Sequence, residues 1–272
     1  MRLNTVFISV TAAVAVVAAA CAFTLGAQTA YTIFVANTSR PLATAIGMLE
    51  RHGGISINYE DPPYQNPGDV SDVSTPEERA ARPGFQQLVP RIGNLTAELQ
   101  SRAPGSSSVA DVIFDVNSLL TAYRQSGLPG DFRVEQGNSG LSVVPIRTLG
   151  ADGSAILVTS PMTSPITIPS AQRIMADTVM AILDAVSKST GKKIAIGSFP
   201  LMPGPLVSFG ASNEPARDAL ARLFAQVGWR QSYRLLFDPK ADTHRSFDYM
   251  INFQQTGYAP PLAPAGPTDK SP

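Results

Sequence analysis

Residues 212–253 read SNEPARDALARLFAQVGWRQSYRLLFDPKADTHRSFDYMINF, and the spacing of apolar side chains changes once along them. The first part has the spacing of a helix, with Asn213 expected as its N-cap and Gly228 where a left-handed residue ends a helix. From Trp229 onward, apolar and polar residues alternate on both sides of a turn at 238–242, as in half-buried strands. The stretch therefore predicts helix, strand, turn, strand. Such a unit needs upstream partners to bury its apolar stripes.

Upstream residues complete this unit and then repeat it. A short strand at 166–168, a helix ending at Gly191, and strands near 194–196 and 206–211 precede the quoted stretch. About a hundred residues earlier the same order recurs, with predicted strands at 32–35, 55–59, 95–99, 132–136 and 141–146, and helices from 41 to 53 and from 109 to 123. Tyr123 and Phe224 each lie four residues before a glycine, which favours a duplication.

The predicted fold class is α+β, with two tandem modules that each pack a short sheet against two helices. Each module has the order strand-helix-strand-strand-helix-strand-strand, and the second is the clearer one. The predicted boundaries are a signal peptide at 1–27, a first module at 28–147 with a loop insertion at 60–90, a linker at 148–165, a second module at 166–253, and a disordered Pro-rich tail at 254–272.

Composition excludes several classes of function. The 272 residues carry no net charge, so nothing favours nucleic acid or an anionic membrane surface as a partner. The single cysteine, Cys21, lies in the N-terminal apolar run, and His52 and His244 are the two histidines, too few for a zinc site. No Gly-x-Ser-x-Gly or phosphate-loop motif occurs. We therefore predict no catalytic residue, no metal and no cofactor.

The N-terminus has the pattern of a secretory signal peptide. Arg2 precedes an uncharged run rich in Ala and Val, and small residues follow it up to Ala27. Two alternatives remain open, an uncleaved membrane anchor and a lipoprotein acylated on Cys21. A periplasmic or secreted bacterial protein is the prediction. Contact with a membrane would come through an uncleaved N-terminus.

The most distinctive polar cluster lies at residues 59–64, Tyr-Glu-Asp-Pro-Pro-Tyr, at the end of a predicted strand. Its side chains Tyr59, Glu60, Asp61 and Tyr64 are candidate binding residues, since a carboxylate pair can bind a cation or act as acid and base. The competing interpretation is a rigid turn whose acids cap neighbouring N–H groups. Two aromatic residues at less ordered positions, Phe85 and Trp229, are further candidates for contact with a partner.

The second module resembles the short N-terminal domain of secretins and TonB-dependent transducers (the STN domain). The resemblance covers about ninety residues and rests on the helix ending at Gly191, the strands at 193–196 and 206–211, the helix at 214–227 and the closing strand pair. It implies a small periplasmic module that contacts other proteins and has no catalytic residues. The whole chain also resembles a group of exported bacterial proteins of unknown function with Arg-Pro-Leu, here 40–42, and the motif at 59–64.

Three functions are compatible with these observations. The first is a non-enzymatic envelope protein that binds another protein through an exposed sheet edge or the insertion. The second is a binder of peptidoglycan or another cell-wall glycan. The third is a hydrolase that uses Glu60 and Asp61. The first is favoured, because function must be argued from residues and no catalytic set is present.

Overall fold

The computed structural model describes residues 30–100, 107–137, 140–200, 203–239 and 247–258. The predicted signal peptide, Cys21 and most of the predicted tail lie outside these residues. Within them the chain forms an α+β fold, as predicted, with helices and strands gathered in several small sheets that do not close into a barrel.

The first module, residues 30–157, contains eight strands and three helices. In chain order they are β1 (Ala30–Thr38), α1 (Pro41–Gly53), β2 (Ile57–Glu60), β3 (Val70–Asp72), α2 (Pro76–Ala81), β4 (Leu88–Pro90), β5 (Gly93–Gln100), α3 (Val109–Gln125), β6 (Asp131–Gly137), β7 (Gly140–Leu149) and β8 (Ala155–Leu157). Setting aside the insertion and β8, the predicted element order is confirmed.

The second module, residues 165–258, repeats that order. Its elements are β9 (Pro165–Ile174), α4 (Met175–Thr190), β10 (Ile194–Ser198), β11 (Leu206–Pro215), α5 (Ala216–Gln226), β12 (Trp229–Phe237) and β13 (Tyr249–Tyr258). β13 extends five residues past the predicted module end at Phe253, because it pairs with β12 along the whole length of that strand.

Both modules have one internal topology. The first and third strands of the repeat form an antiparallel pair, β1 with β5 and β9 with β11. The other three strands form a mixed sheet, with β2 parallel to β7 and β7 antiparallel to β6, and likewise β10 parallel to β13 and β13 antiparallel to β12. The helices α1, α3, α4 and α5 contact both kinds of sheet and lie between them. The shared topology supports the predicted duplication.

The two modules share a sheet, which the sequence analysis did not anticipate. β12 of the second module pairs in parallel with β2 of the first, so the strand order is β10-β13-β12-β2-β7-β6, with β8 on one end of β7. The register places Arg234 opposite Tyr59 and Leu235 opposite Glu60. Pairing of these two short segments joins the halves into one continuous layer.

The register also fixes where each core lies. Residues opposite each other on paired strands point to the same face of a sheet, and successive residues alternate. Leu235 belongs to the core of the second module and lies opposite Glu60, whereas Tyr59 belongs to the core of the first module and lies opposite Arg234. The two core residues therefore occupy successive positions of the register and point to opposite faces. The helices of the two modules therefore pack on opposite faces of the shared sheet.

The insertion at 60–90 is an ordered substructure. β3 and β4 form an antiparallel pair, and α2 lies between them with Thr75 and Glu78 in a reciprocal capping box. The stretch predicted as a loop insertion therefore carries secondary structure of its own. The side-chain amide of Asn66 donates to the Gly150 carbonyl oxygen over 3.1 Å, which ties the insertion to the end of β7.

Glycines end helices where predicted, and one predicted N-cap is wrong. Gly54, Gly191 and Gly228 have φ values of 67°, 69° and 69°, the left-handed region in which glycine lacks a steric penalty. Asn213 does not cap α5, because β11 continues to Pro215 and the helix begins after it. Asn213 instead has a φ of 49° and donates its backbone N–H to the Thr167 hydroxyl.

Because one sheet and a buried interface join the modules, we expect them to unfold in a single transition. Leu220→Ala in α5 and Leu119→Ala in α3 each empty a fully buried site and should destabilise the protein by about 2–5 kcal/mol. Urea unfolding followed by circular dichroism should show both variants shifting the same transition. The control Leu206→Ala, at a side chain 60% exposed, should change stability by less than about 0.5 kcal/mol. Two separable transitions would contradict the shared sheet.

Candidate functional site

Four of the six predicted site residues converge where the modules meet. We call this region the module interface, meaning β2 and residues 61–64 of the first module with α5 and β12 of the second. Glu60 and Asp61 are 0% exposed, Tyr59 is 1% exposed and Tyr64 is 4% exposed. Tyr59 and Glu60 end the short central strand β2 and Asp61 and Tyr64 follow it, so these side chains lie where the two modules meet.

Glu60 is bound by the second module through both carboxylate oxygens. Arg217, in the first turn of α5, donates from Nε to Oε1 over 2.9 Å and from Nη2 to Oε2 over 3.0 Å. The Tyr233 hydroxyl donates to Oε1 over 2.6 Å, and Nη1 of Arg217 donates to Glu135 on β6 over 2.8 Å. Burial alone would lower the pKa of Arg217, but the charge of Glu60 raises it above its ordinary value. The arginine therefore stays charged.

Asp61 accepts four hydrogen bonds. Its Oδ2 accepts from Arg40 Nε over 2.7 Å and from the backbone N–H of Phe237 over 3.0 Å. Its Oδ1 accepts from the hydroxyls of Tyr59 and Tyr64 over 2.7 and 3.2 Å. Arg40 also donates to the Phe237 carbonyl oxygen over 2.6 Å, so one guanidinium spans both modules. The backbone N–H bonded by Asp61 belongs to Phe237, 176 residues further along the chain, and not to a neighbouring residue of the turn as the competing interpretation predicted.

A third buried ion pair lies on the other face of β12. Arg234 is 4% exposed and pairs with Glu50 of α1, while its Nη1 donates to the Ile57 carbonyl oxygen over 2.7 Å. Glu50 also accepts from the backbone N–H of Ile57 over 2.7 Å. The Asn58 side chain accepts from the Tyr233 N–H over 3.1 Å, which continues the strand pairing with a side chain. Arginines thus hold β2 from both faces.

The tyrosines of the interface are locked as hydrogen-bond donors. Burial raises the pKa of Tyr59, Tyr64 and Tyr233 well above the ordinary value, and the neighbouring carboxylates of Asp61 and Glu60 raise it further. The hydroxyls therefore keep their protons at physiological pH. With these donors and the arginines in place, each of the four carboxylate oxygens of Glu60 and Asp61 has at least one partner.

This geometry differs from the arrangement predicted for a ligand site. Tyr59, Glu60, Asp61 and Tyr64 do not face solvent, and their polar groups bind each other and the second module. A substrate would need the modules to separate before reaching either acid. The geometry gives this cluster a structural role, that of holding the two modules together.

Sequence patterns did contain a signal for one residue that was missed. Glu50 lies four residues after Ile46 and so falls on the apolar stripe of α1, where a carboxylate needs a buried partner. Nothing comparable identifies that partner, because Arg234 is 184 residues away along the chain.

Phe85 lies apart from this cluster, on the insertion after α2. Its ring is partly buried and the guanidinium of Arg82 lies 4.0 Å from the ring centroid. Phe85 thus packs against Arg82 of its own short segment and remains at the surface. The structure does not bring it near the other candidate residues of the module interface.

Trp229 lines an open groove beside the module interface. The groove has a volume of about 450 Å³ and runs between α5, the start of β12 and the chain entering β2. Its walls include Ser56, Asn58, Leu220, Phe224, Trp229 and Gln231. Of the six predicted site residues, Trp229 is the one that the structure places in this groove.

Gln231 is a groove residue that the sequence analysis overlooked. It is 9% exposed, and neither its amide nitrogen nor its amide oxygen has a hydrogen-bond partner within the described residues. The sequence contained a signal for it, because Gln231 lies on the same face of β12 as the apolar residues Trp229, Tyr233, Leu235 and Phe237. A polar residue on the buried face of a strand normally finds a partner.

The described residues hold no cluster of three or more His, Cys, Asp or Glu side chains that could bind a metal ion. Among those same residues, no helix combines the length and apolar character needed to cross a bilayer. No protein-family model, curated protein or solved structure gives a significant match to the chain. The resemblance to the STN domain therefore remains a prediction based on sequence pattern.

Breaking one buried ion pair of the interface should cost far more than breaking an exposed one. Arg217→Met leaves the buried charge of Glu60 uncompensated and should lower the free energy of unfolding by about 3–5 kcal/mol. Glu60→Gln should cost less, about 1.5–3 kcal/mol, because Arg217 keeps its ion pair with Glu135. The double variant should lose less than the sum of the two. Urea unfolding of all four proteins gives this double-mutant cycle.

The matched control is Arg133→Met, which removes an arginine 62% exposed that pairs with Glu135 on the same sheet. Its effect should stay below about 1 kcal/mol. A loss of that small size for Glu60→Gln would mean that Glu60 does not hold the module interface.

Proposed function

We propose that the chain is a non-enzymatic protein-interaction unit of the bacterial cell envelope, and that the groove beside Trp229 is its contact surface. The N-terminal sequence pattern supports the location. The resemblance to the STN domain supports the class of activity. The observation that carries the proposal is the buried, unpartnered amide of Gln231, a residue that lines an open groove.

The groove offers a strand edge to a partner. β12 pairs with β13 along its whole length, but its pairing with β2 covers Arg234 and Leu235 alone. Residues 229–232 therefore have a neighbouring strand on one side and the groove on the other. An extended peptide segment laid along this edge would continue the sheet locally, the recognition mode known as strand addition.

The side chains of the groove suit such a peptide. The amide of Gln231 carries donors and an acceptor, the complement of a peptide group. An unpaired buried polar group costs about 1–3 kcal/mol, so a partner that pairs with Gln231 recovers that free energy on binding. Trp229, which is partly buried, supplies apolar surface next to it, and aromatic residues of this kind dominate the energetics of protein interfaces.

A cell-wall glycan is the second candidate. The same pair of groups, an indole ring next to an amide, also fits a sugar that carries an acetamido substituent, because that substituent presents one donor and one acceptor. Sedimentation with purified sacculi separates the two candidates. Retention of the wild-type chain on sacculi, lost in the groove variant described below, would favour the glycan over the protein partner.

The contacts of Glu60 and Asp61 argue against the hydrolase alternative. It relied on Glu60 and Asp61, whose oxygens accept hydrogen bonds from arginine, tyrosine and backbone donors inside the module interface. A general acid or base must reach the proton that it transfers in a plausible substrate pose. Neither carboxylate has that access while the modules are joined.

Removing the groove contacts should abolish partner capture. Trp229→Ala combined with Gln231→Leu removes the aromatic surface and the amide, and losses of at least 2 kcal/mol per anchor residue correspond to about 30-fold weaker binding. Photocrosslinking in envelope preparations, with p-benzoylphenylalanine placed at the exposed position Arg230, should give a discrete protein adduct that the double substitution eliminates.

Two controls make the outcome decisive. The crosslinker at Asp184, on the exposed face of α4, should give no such adduct, and Phe85→Ala should leave it unchanged. An adduct that persists in the double variant would place the contact surface elsewhere. Its loss in Phe85→Ala would transfer the contact to the insertion.

A further inference from the structure

A second pocket lies on the first module, away from the groove. It has a volume of about 370 Å³ and forms where the insertion meets the loop between α3 and β6 and the end of β7. Its polar walls are Asp69, Arg91, Asp131, Arg147 and Thr148, and Leu128 is among its apolar residues. The pocket exists because the insertion is ordered and held against β7.

Two buried polar side chains of this pocket lack partners. Asp69 is 4% exposed and Thr148 is 2% exposed. Oδ2 of Asp69 and the hydroxyl of Thr148 have no hydrogen-bond partner within the described residues. Buried polar atoms are nearly always paired, so an unpaired carboxylate oxygen and an unpaired hydroxyl in one pocket indicate a missing partner, which for the carboxylate oxygen must be a donor.

The cations of the pocket do not supply that donor. The guanidinium of Arg91 donates to the Gly127 carbonyl oxygen. Arg147 is paired with Asp131 over 3.4 Å and is 57% exposed. Within the described residues, neither forms an ion pair with Asp69. The pocket thus holds a buried carboxylate with an unbonded oxygen beside two guanidinium groups that keep free N–H donors.

This combination selects the chemistry of the ligand. A metal ion would suit Asp69 but not two neighbouring arginines, and an inorganic anion would suit the arginines but not Asp69. A molecule with one ammonium and one carboxylate satisfies both. We propose that this pocket binds a free α-amino acid, whose ammonium donates to Asp69 and Thr148 and whose carboxylate accepts from Arg91 and Arg147.

The size and the electrostatics of the pocket agree with a ligand of this kind. Pockets of about 300–1,000 Å³ enclose drug-sized ligands, so a free amino acid fits with room for a modest side chain. Burial raises the pKa of Asp69 above its ordinary value, and the positive charge of Arg91 opposes that shift. An ammonium pairs with the ionised carboxylate, so affinity should fall as the pH drops through that raised pKa.

Isothermal titration calorimetry on the full chain tests the proposal. Glycine, L-alanine and D-alanine are titrated beside two half-ligands, ethylamine and propionate, each of which carries one of the two charges. We expect saturable binding of at least one amino acid, with both half-ligands at least about tenfold weaker, since each lacks a charge-assisted contact. The affinity should decrease between pH 7 and pH 4.

Variants separate this pocket from the rest of the chain. Asp69→Asn and Thr148→Val should each weaken amino-acid binding at least about tenfold, while Asp184→Asn, an acid on the exposed face of α4, should leave it unchanged. Thr148→Val preserves shape, and circular dichroism verifies the fold of each variant. Trp229→Ala should also bind the amino acid normally. A negative result for the pocket is therefore independent of a negative result for the groove beside Trp229.

Three results would overturn the proposal. One is the absence of saturable binding of all three amino acids at millimolar concentrations. Another is binding that survives both Asp69→Asn and Thr148→Val. The third is binding of calcium or phosphate in place of any amino acid, which would assign the pocket to a simple ion.

Discussion

Burial of Glu60 and Asp61 against arginines is the constraint on which the arrangement of the two modules depends. Each carboxylate removed from water loses several kcal/mol of hydration, and only a full set of charged and hydrogen-bonding partners offsets that loss. Arg217 and Arg40 provide this set in one alignment of β12 on β2. A slip by one residue would turn Glu60 to the opposite face and leave both partners unpaired. The ion pairs therefore specify register more than they add stability.

Much of the fold was accessible from sequence because its signals are local. The glycines after α1, α4 and α5 mark helix ends, and the alternation in β12 and β13 reports which side chains are buried. The error at Asn213 has a local cause too, since a polar residue in a left-handed turn of β11 resembles an N-cap. Local patterns could not identify β12 as the strand that pairs with the second edge of β2. Arg217 lies 157 residues from Glu60, and no periodicity reports such a distance.

Local patterns identified some residues of the candidate site and missed others for the same reason. Alternation in β2 shows that Asn58 and Glu60 share a face, but whether water or another module covers that face depends on tertiary structure. Trp229 was identified because a large aromatic residue next to a helix end is conspicuous. Gln231 could have been identified with it, since a polar residue in an apolar register requires a partner. Asp69 and Thr148 could not, because the insertion brings them together only after folding.

The opposite placement of the two sets of helices has a consequence for assembly. The two modules are related by a shift of three strands along the shared sheet and a half-turn about that same direction. This is a two-fold screw operation, which does not close on itself. Geometry alone would permit an endless ribbon, with β10 of one molecule beside β6 of another. When the two modules are aligned on the left-handed glycines that end α1 and α4, however, Gly197 is at the position of Glu60 and Ser187 is at the position of Glu50. The anionic half of the joint occurs once per chain, so a further unit added at β10 would lack the ion pairs that join these two modules.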